Sequence, residues 1–145
     1  MSLLYTCACL ETKPVLCLAG QNADQKGKRL ILRGRSNPCE GRVDVYNEGK
    51  WGIVGHIGWS ENNSAVVCKS LGCGTVVSFD IDFRDNYPAN DLVWADDIKC
   101  GGTEQNLWDC EFPGWGVIKS SAHSHVYVNC SGERVTSVFI SILFV

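Results

Sequence analysis

Nine cysteines in 145 residues constrain this chain more than any other feature of it. In a reducing compartment they would have to serve as metal ligands, catalytic thiols or inert core residues. Zinc modules require short paired spacings. The chain has one C-x-C, at Cys7 and Cys9, and no C-x-x-C; Cys68 and Cys73 lie five apart, and Cys100 and Cys110 ten apart. None of these spacings fits a finger or a ribbon. The remaining reading is a disulfide framework formed in an oxidising compartment. Spacing alone leaves the pairing open, because six cysteines admit many connectivities.

The rest of the composition fits a single extracellular domain. Net charge is −3 and the isoelectric point is near 5.5, which argues against a nucleic-acid partner. One local exception is the basic block Lys26, Lys28, Arg29, Arg33 and Arg35, the one feature that favours a polyanion. Residues 1–27 read as a poorly structured leader, with an apolar start broken by Glu11 and Lys13. Residues 28–132 read as the folded domain. Residues 133–145 read as an apolar tail; its end, Val138 to Val145, is shorter than the roughly 20 residues a membrane span needs. That end fits either the start of a truncated membrane segment or an edge strand. The whole reads as a piece or variant product of a larger secreted or membrane receptor.

Alternation and turn chemistry place the elements. Arg29 to Arg33 predicts a strand, Arg42 to Tyr46 a half-buried strand, and Lys50 to Val54 its hairpin partner across Asn47-Glu48-Gly49. Ser60 predicts the cap of a helix running to Leu71 with Gly72 as its stop, burying Ala65, Val66, Cys68 and Leu71. Phe79 to Asp91 reads as a long loop, Leu92 to Trp94 as a short strand, Thr103 to Trp108 as a short helix, Phe112 to Ser124 as a second loop, and Val126 to Val128 as a closing strand. The expected class is α+β: a small disulfide-rich domain whose curved antiparallel sheet cradles one main helix, with long loops.

An ordered series of motifs sharpens this. Cys39-Glu40-Gly41-Arg42-Val43 precedes Lys50-Trp51-Gly52-Ile53-Val54 and Gly58-Trp59. Then come Ala65 to Gly74, Trp94 to Cys100, and Leu107-Trp108-Asp109-Cys110. The series resembles a scavenger receptor cysteine-rich (SRCR) domain, and looks most like one from the tandem-SRCR receptors of macrophages and γδ T cells. The resemblance implies an extracellular binding module without catalysis, and disulfides Cys39–Cys73, Cys68–Cys130 and Cys100–Cys110. The eight-cysteine form of the family carries one more bridge. Its two positions here are Gly55 and a serine, Ser120 or Ser121, so both halves are missing together. This predicts a six-cysteine domain with a looser tether between those segments. Several relatives bind calcium through an acidic pair and a glutamate, which here become His56-Ile57 and a residue near Ser124, so that site looks degraded and no cofactor is expected.

Each candidate site residue carries a plain alternative. Asp96 and Asp97 suit ligand contact, or a turn in which they hold their own backbone. His56, His123 and His125 suggest a transition-metal site made from the lost calcium site, or three loop histidines. Trp51, Trp59, Trp94 and Trp108 read as core, and Trp115, between Gly114 and Gly116, as a surface contact. Arg29 and Arg33 share one face of a strand and suit a polyanion, or simply guard an edge strand. Asn62 and Asn129 head N-x-S sequons and are glycosylation candidates, Asn129 the less suited because it sits beside Cys130. Cys7, Cys9 and Cys17 are left without an assigned pairing. The functional expectation is an extracellular ligand-binding module of scavenger or immune co-receptor type, for a protein or polyanionic ligand, with sister SRCR domains in its parent protein. The alternatives are a structural spacer within a receptor ectodomain and an accessory domain attached to an enzyme.

Overall fold

The computed structural model describes residues 27–34, 36–83, 91–120 and 124–133. Cys7, Cys9, Cys17, Lys26, Arg35, His123, most of the leader and residues 134–145 lie outside the described residues.

A six-stranded sheet is built around β2 (Glu40–Asn47). One edge of β2 pairs antiparallel with β1 (Arg29–Arg33); Asp44 faces Ile31 there and Ile53 on the other side. The opposite edge is shared. Its first part pairs with β6 (Ser124–Cys130) and its last part with β3 (Lys50–Val54), which makes the sheet curl. The β2–β3 turn works because Glu48 and Gly49 both take positive φ, 47° and 84°, the conformation a two-residue hairpin of this hand requires. β4 (Val76–Phe83) extends the sheet beyond β6, and β5 (Val93–Ala95) pairs parallel with β3. The sheet is therefore mixed, not wholly antiparallel as expected.

The sheet's inner face carries Leu30, Leu32, Val43, Val45, Val54, Val126 and Val128, all buried. Helix α1 (Glu61–Ser70) packs on it through Val66, Val67 and Cys68, each 0% exposed. Its start matches the expectation: the Ser60 hydroxyl accepts a hydrogen bond from the Asn63 amide at 3.4 Å, a cap that contributes about 1 kcal/mol. Val67, rather than Ala65, completes the buried stripe. Three disulfides, Cys39–Cys73, Cys68–Cys130 and Cys100–Cys110, have sequence separations of 34, 62 and 10. In the chain-entropy model they contribute about 3–4 kcal/mol each, at most.

Two element expectations are corrected. Phe79 to Phe83 is not loop but the end of β4, with Phe79, Ile81 and Phe83 opposite Val128, Val126 and Ser124. The alternation was present, but strand and partner lie more than forty residues apart in sequence. Thr103 to Trp108 forms no helix; only a single 3-10 turn, Leu107–Asp109, is made, with the Asn106 amide bound to the Asp109 carboxylate at 3.1 Å.

Candidate functional site

Period-two alternation puts every second residue of β1, β2, β3 and β6 on the outer face of the sheet, away from α1. The registers then fix neighbours. Arg29 lies opposite Tyr46 and Arg33 opposite Arg42. Tyr46 lies opposite Trp51 across the hairpin. The result is a face of guanidinium and aromatic groups.

Trp51 is its centre. The Arg29 guanidinium sits 5.4 Å from the Trp51 ring and the Arg33 guanidinium 5.2 Å. Arg29 also lies 5.6 Å from the Tyr46 ring, which packs edge-on against Trp51 at 5.2 Å. Such exposed cation–π contacts are worth about 0.5–1 kcal/mol each. Beneath them Asp44, 2% exposed, accepts from Arg33 Nε and Arg42 Nε at 2.6 Å each and from Arg42 Nη2 at 2.9 Å. Its hydrogen bond and charge hold the Arg42 guanidinium above its ordinary range, against the opposing effect of burial. Arg33, Arg42, Trp51 and Asp91 line a shallow hollow of about 200 Å³. The face thus offers planar N–H donors already oriented by a buried carboxylate, next to an aromatic plane. That arrangement suits carboxylate, sulfate or phosphate oxygens.

Sequence reasoning brought out Arg29 and Arg33 but not Arg42, Asp44, Tyr46 or Trp51. The signal was available: a two-residue turn after Asn47 sets Tyr46 beside Trp51, and the alternation of β2 sets Arg42 and Asp44 on the same side. Trp51 is accordingly not a core residue. Trp59 and Trp108 are partly buried against the core, while Trp94, half-buried, packs on Trp115.

The other candidates fall elsewhere. Trp115 is not a free surface contact: it packs on the core with Trp94, Trp108 and Phe112, and Lys28 covers its ring at 5.6 Å. Asp96 is 0% exposed and turned inward, out of a ligand's reach. Burial pushes its carboxyl up, but hydrogen bonds from the Ser120, Lys119 and Asp97 backbone outweigh this and hold it below the usual range. Asp97 takes φ 53° and sits between Lys119 at 2.7 Å and Lys99 at 3.5 Å. The Lys119 hydrogen bond above all keeps its carboxyl low.

Of the three histidines, His56 and His125 are not brought together, and His123 lies outside the described residues. His56 Nδ1 lies 2.7 Å from Ser124 Oγ, whereas the next residue, His125, points to the opposite face of β6 and meets Asp91 at 2.8 Å. Among the described residues, the one grouping with metal-ligand spacing is Cys100, Glu104 and Cys110, and both of its cysteines are in a disulfide. Calcium does not fit the positions the resemblance implies either. They hold His56, Ile57 and Ser124, with no carboxylate, where calcium takes about six to eight oxygens. Asn62 is exposed in the first turn of α1, while Asn129 is half-buried in a groove beside Glu40, Asp80 and Tyr127.

The model of the scavenger receptor cysteine-rich domain matches residues 33–131. The human protein "CD5 antigen-like" is 39% identical over 104 residues, covering 71% of this chain and 30% of that protein. "Lysyl oxidase homolog 2" of Xenopus laevis is 33% identical over 102 residues, 70% of this chain and 13% of that protein. The chain thus spans less than a third of either relative. Among solved structures, the third SRCR domain of murine neurotrypsin superposes with a TM-score of 0.55 at 26% identity, covering 72% of this chain and 97% of that one. No helix among the described residues is long and apolar enough to cross a membrane. With its motifs, its three bridges and its curled sheet under one helix, this chain belongs to the scavenger receptor cysteine-rich family, the extracellular modules of scavenger and immune receptor-like proteins.

Proposed function

We propose that this domain is a non-catalytic binding module that takes an anionic extracellular ligand, an acidic protein surface or a sulfated polysaccharide, on the outer face of β1, β2 and β3. The observation that carries the reading is the pair of guanidiniums, Arg29 and Arg33, at 5.4 and 5.2 Å from the Trp51 ring, with Arg33 and Arg42 fixed by the buried Asp44. Orientation by a buried partner reduces the side-chain entropy lost on binding. Recognition needs no metal or cofactor. Sister domains in the parent protein would add avidity.

The test is binding of the secreted domain to immobilised heparin, with a neutral polysaccharide as control, across a salt series. Retention on heparin that weakens steadily with salt and is indifferent to EDTA supports the reading. Equal retention on the neutral control, or none on either, refutes it. A second reading, a spacer domain, is favoured by two observations. Asp44 and Asp91 offset part of the charge on the face, and His56 and Ser124 meet directly where relatives hold a cation. On that reading the isolated domain binds no anion, and deleting it disturbs its neighbours.

A further inference from the structure

β4 and β5 stand at the two ends of the sheet's strand order. β5 has only 3 residues, whereas β4 has 8, and beyond β6 it pairs with no other strand among the described residues. β1, which pairs only with β2, carries Arg29 and Arg33 at its ends. A long open edge is a template for another strand, and proteins commonly block one with lysine, proline or an early end. β4 has no Lys, Arg or Pro, and its Val77, Phe79 and Phe83 are 62%, 37% and 63% exposed.

The register with β6 sorts the side chains of β4 between two faces, because opposite residues of an antiparallel pair share a face. Phe79, Ile81 and Phe83 lie opposite Val128, Val126 and Ser124, on the face that packs α1. Ile81 packs against the core there, while Phe79 and Phe83 stay exposed at its margin. Ser78, Asp80 and Asp82 lie opposite Asn129, Tyr127 and His125, on the other face. Glu40 of β2 lies opposite Asn129 on that same face. Glu40, Asp80 and Asp82 thus line one hollow of about 290 Å³, and no described Lys or Arg lines it. Arg42, the cation across Tyr127, is already held by Asp44. Among the described residues neither Glu40 nor Asp80 has an ion-pair partner.

A second copy of the chain is a poor occupant for this edge. Pairing β4 with itself would set two rows of Asp80 and Asp82 side by side, and like charges across a strand pair oppose pairing. A strand that alternates Lys or Arg with apolar residues suits both faces at once, with cations beside Asp80 and apolar groups beside Phe79 and Phe83. We propose that β4 is a docking edge for such an extended basic segment of another extracellular protein, which joins the sheet as its next strand. Main-chain hydrogen bonds along the open edge supply the hold, and Asp80 with Glu40 selects the charge. The surface is separate from the guanidinium face on β1, β2 and β3, and the proposal does not depend on anion binding there.

The test is titration of the secreted full chain with an end-blocked peptide, as long as β4, that alternates lysine and valine. Amide chemical shifts and hydrogen exchange are the readouts. Saturable shifts along β4 and β6 are expected, with exchange at β4 amides slowed about fivefold or more at saturation. The same peptide with glutamate in place of lysine should not bind. Nor should the lysine peptide N-methylated at every residue, which keeps the charge and loses the strand pairing. Asp80 is exposed, so Asp80→Lys leaves the fold intact, and it should weaken binding about fivefold or more. No binding, shifts without slowed exchange in β4, or equal binding of the N-methylated peptide overturns the proposal. Protection of β4 before any peptide is added also overturns it, because a second copy or residues 134–145 would then already fill the edge; dependence on protein concentration tells those two apart.

Discussion

Two carboxylates, Asp44 and Asp96, are buried to 2% and 0% exposure, and they are satisfied in opposite ways. Asp44 lies beneath the outer face and is held by side chains, the guanidiniums of Arg33 and Arg42. Asp96 follows β5, against Gly55 at the end of β3, and is held by backbone amides from three segments. A buried anion met by mobile cations orients those cations and leaves them donors for a ligand. A buried anion met by amides has nothing left to offer and fixes chain. The same residue type thus orients a charged face in one region and ties backbone segments together in the other.

The largest expected effect falls on the amide-bound region. Asp96→Ala strands buried N–H groups and should cost about 3 kcal/mol or more, with Tm lower by over about 10 °C in thermal unfolding. A change within about 1 kcal/mol would erase the contrast. Next is Asp44→Ala, which leaves two partly exposed guanidiniums that water can reach. It should cost about 1–2 kcal/mol, and it should weaken heparin retention although net positive charge rises, because Arg33 and Arg42 lose their orientation. Stronger retention would show that charge alone, not geometry, governs the face.

Acid should weaken the amide-bound region. The folded-state carboxyls of Asp96 and Asp97 are both held below their ordinary range, Asp96 by amides that outweigh burial and Asp97 chiefly by Lys119. A depressed carboxyl contributes stability that is present above the unfolded value, about pH 4, and is lost as pH falls through the lower folded value. Denaturant midpoints should be flat from neutral pH to about 4 and decline below it, and Asp96→Asn should flatten that decline. Parallel pH profiles for the two proteins would contradict the role given to Asp96. The smallest effect belongs to Arg29→Ala. It should change stability by less than about 1 kcal/mol, the scale of an exposed cation–π contact, yet reduce heparin retention measurably.

How much of this could be read in the sequence depends on how local the cause is. Ser60, Gly72 and the Glu48-Gly49 turn act on their neighbours, so α1 and the β2–β3 hairpin were legible. The disulfide pairing was not a matter of spacing and came through the motif series. β4 was missed because its apolar side, Phe79, Ile81 and Phe83, is only half covered, and its meaning depends on pairing with β6. His56 and His125 are kept apart for a related reason: adjacent strand positions point to opposite faces, so Ser124 meets His56 while His125 does not. Asp96 was legible as a turn former, but its reach to Lys119 and Ser120 depends on a loop path that no period encodes.

The most direct measurement of the central claim is amide chemical-shift mapping of the secreted domain during titration with a defined sulfated oligosaccharide. The account predicts saturable shifts confined to β1, β2 and β3 around Arg29, Arg33, Tyr46 and Trp51 (with the Trp51 indole N–H among them), and none at Lys119 or Ser120. Shifts centred on the Asp96 loop, with the outer face silent, would contradict it.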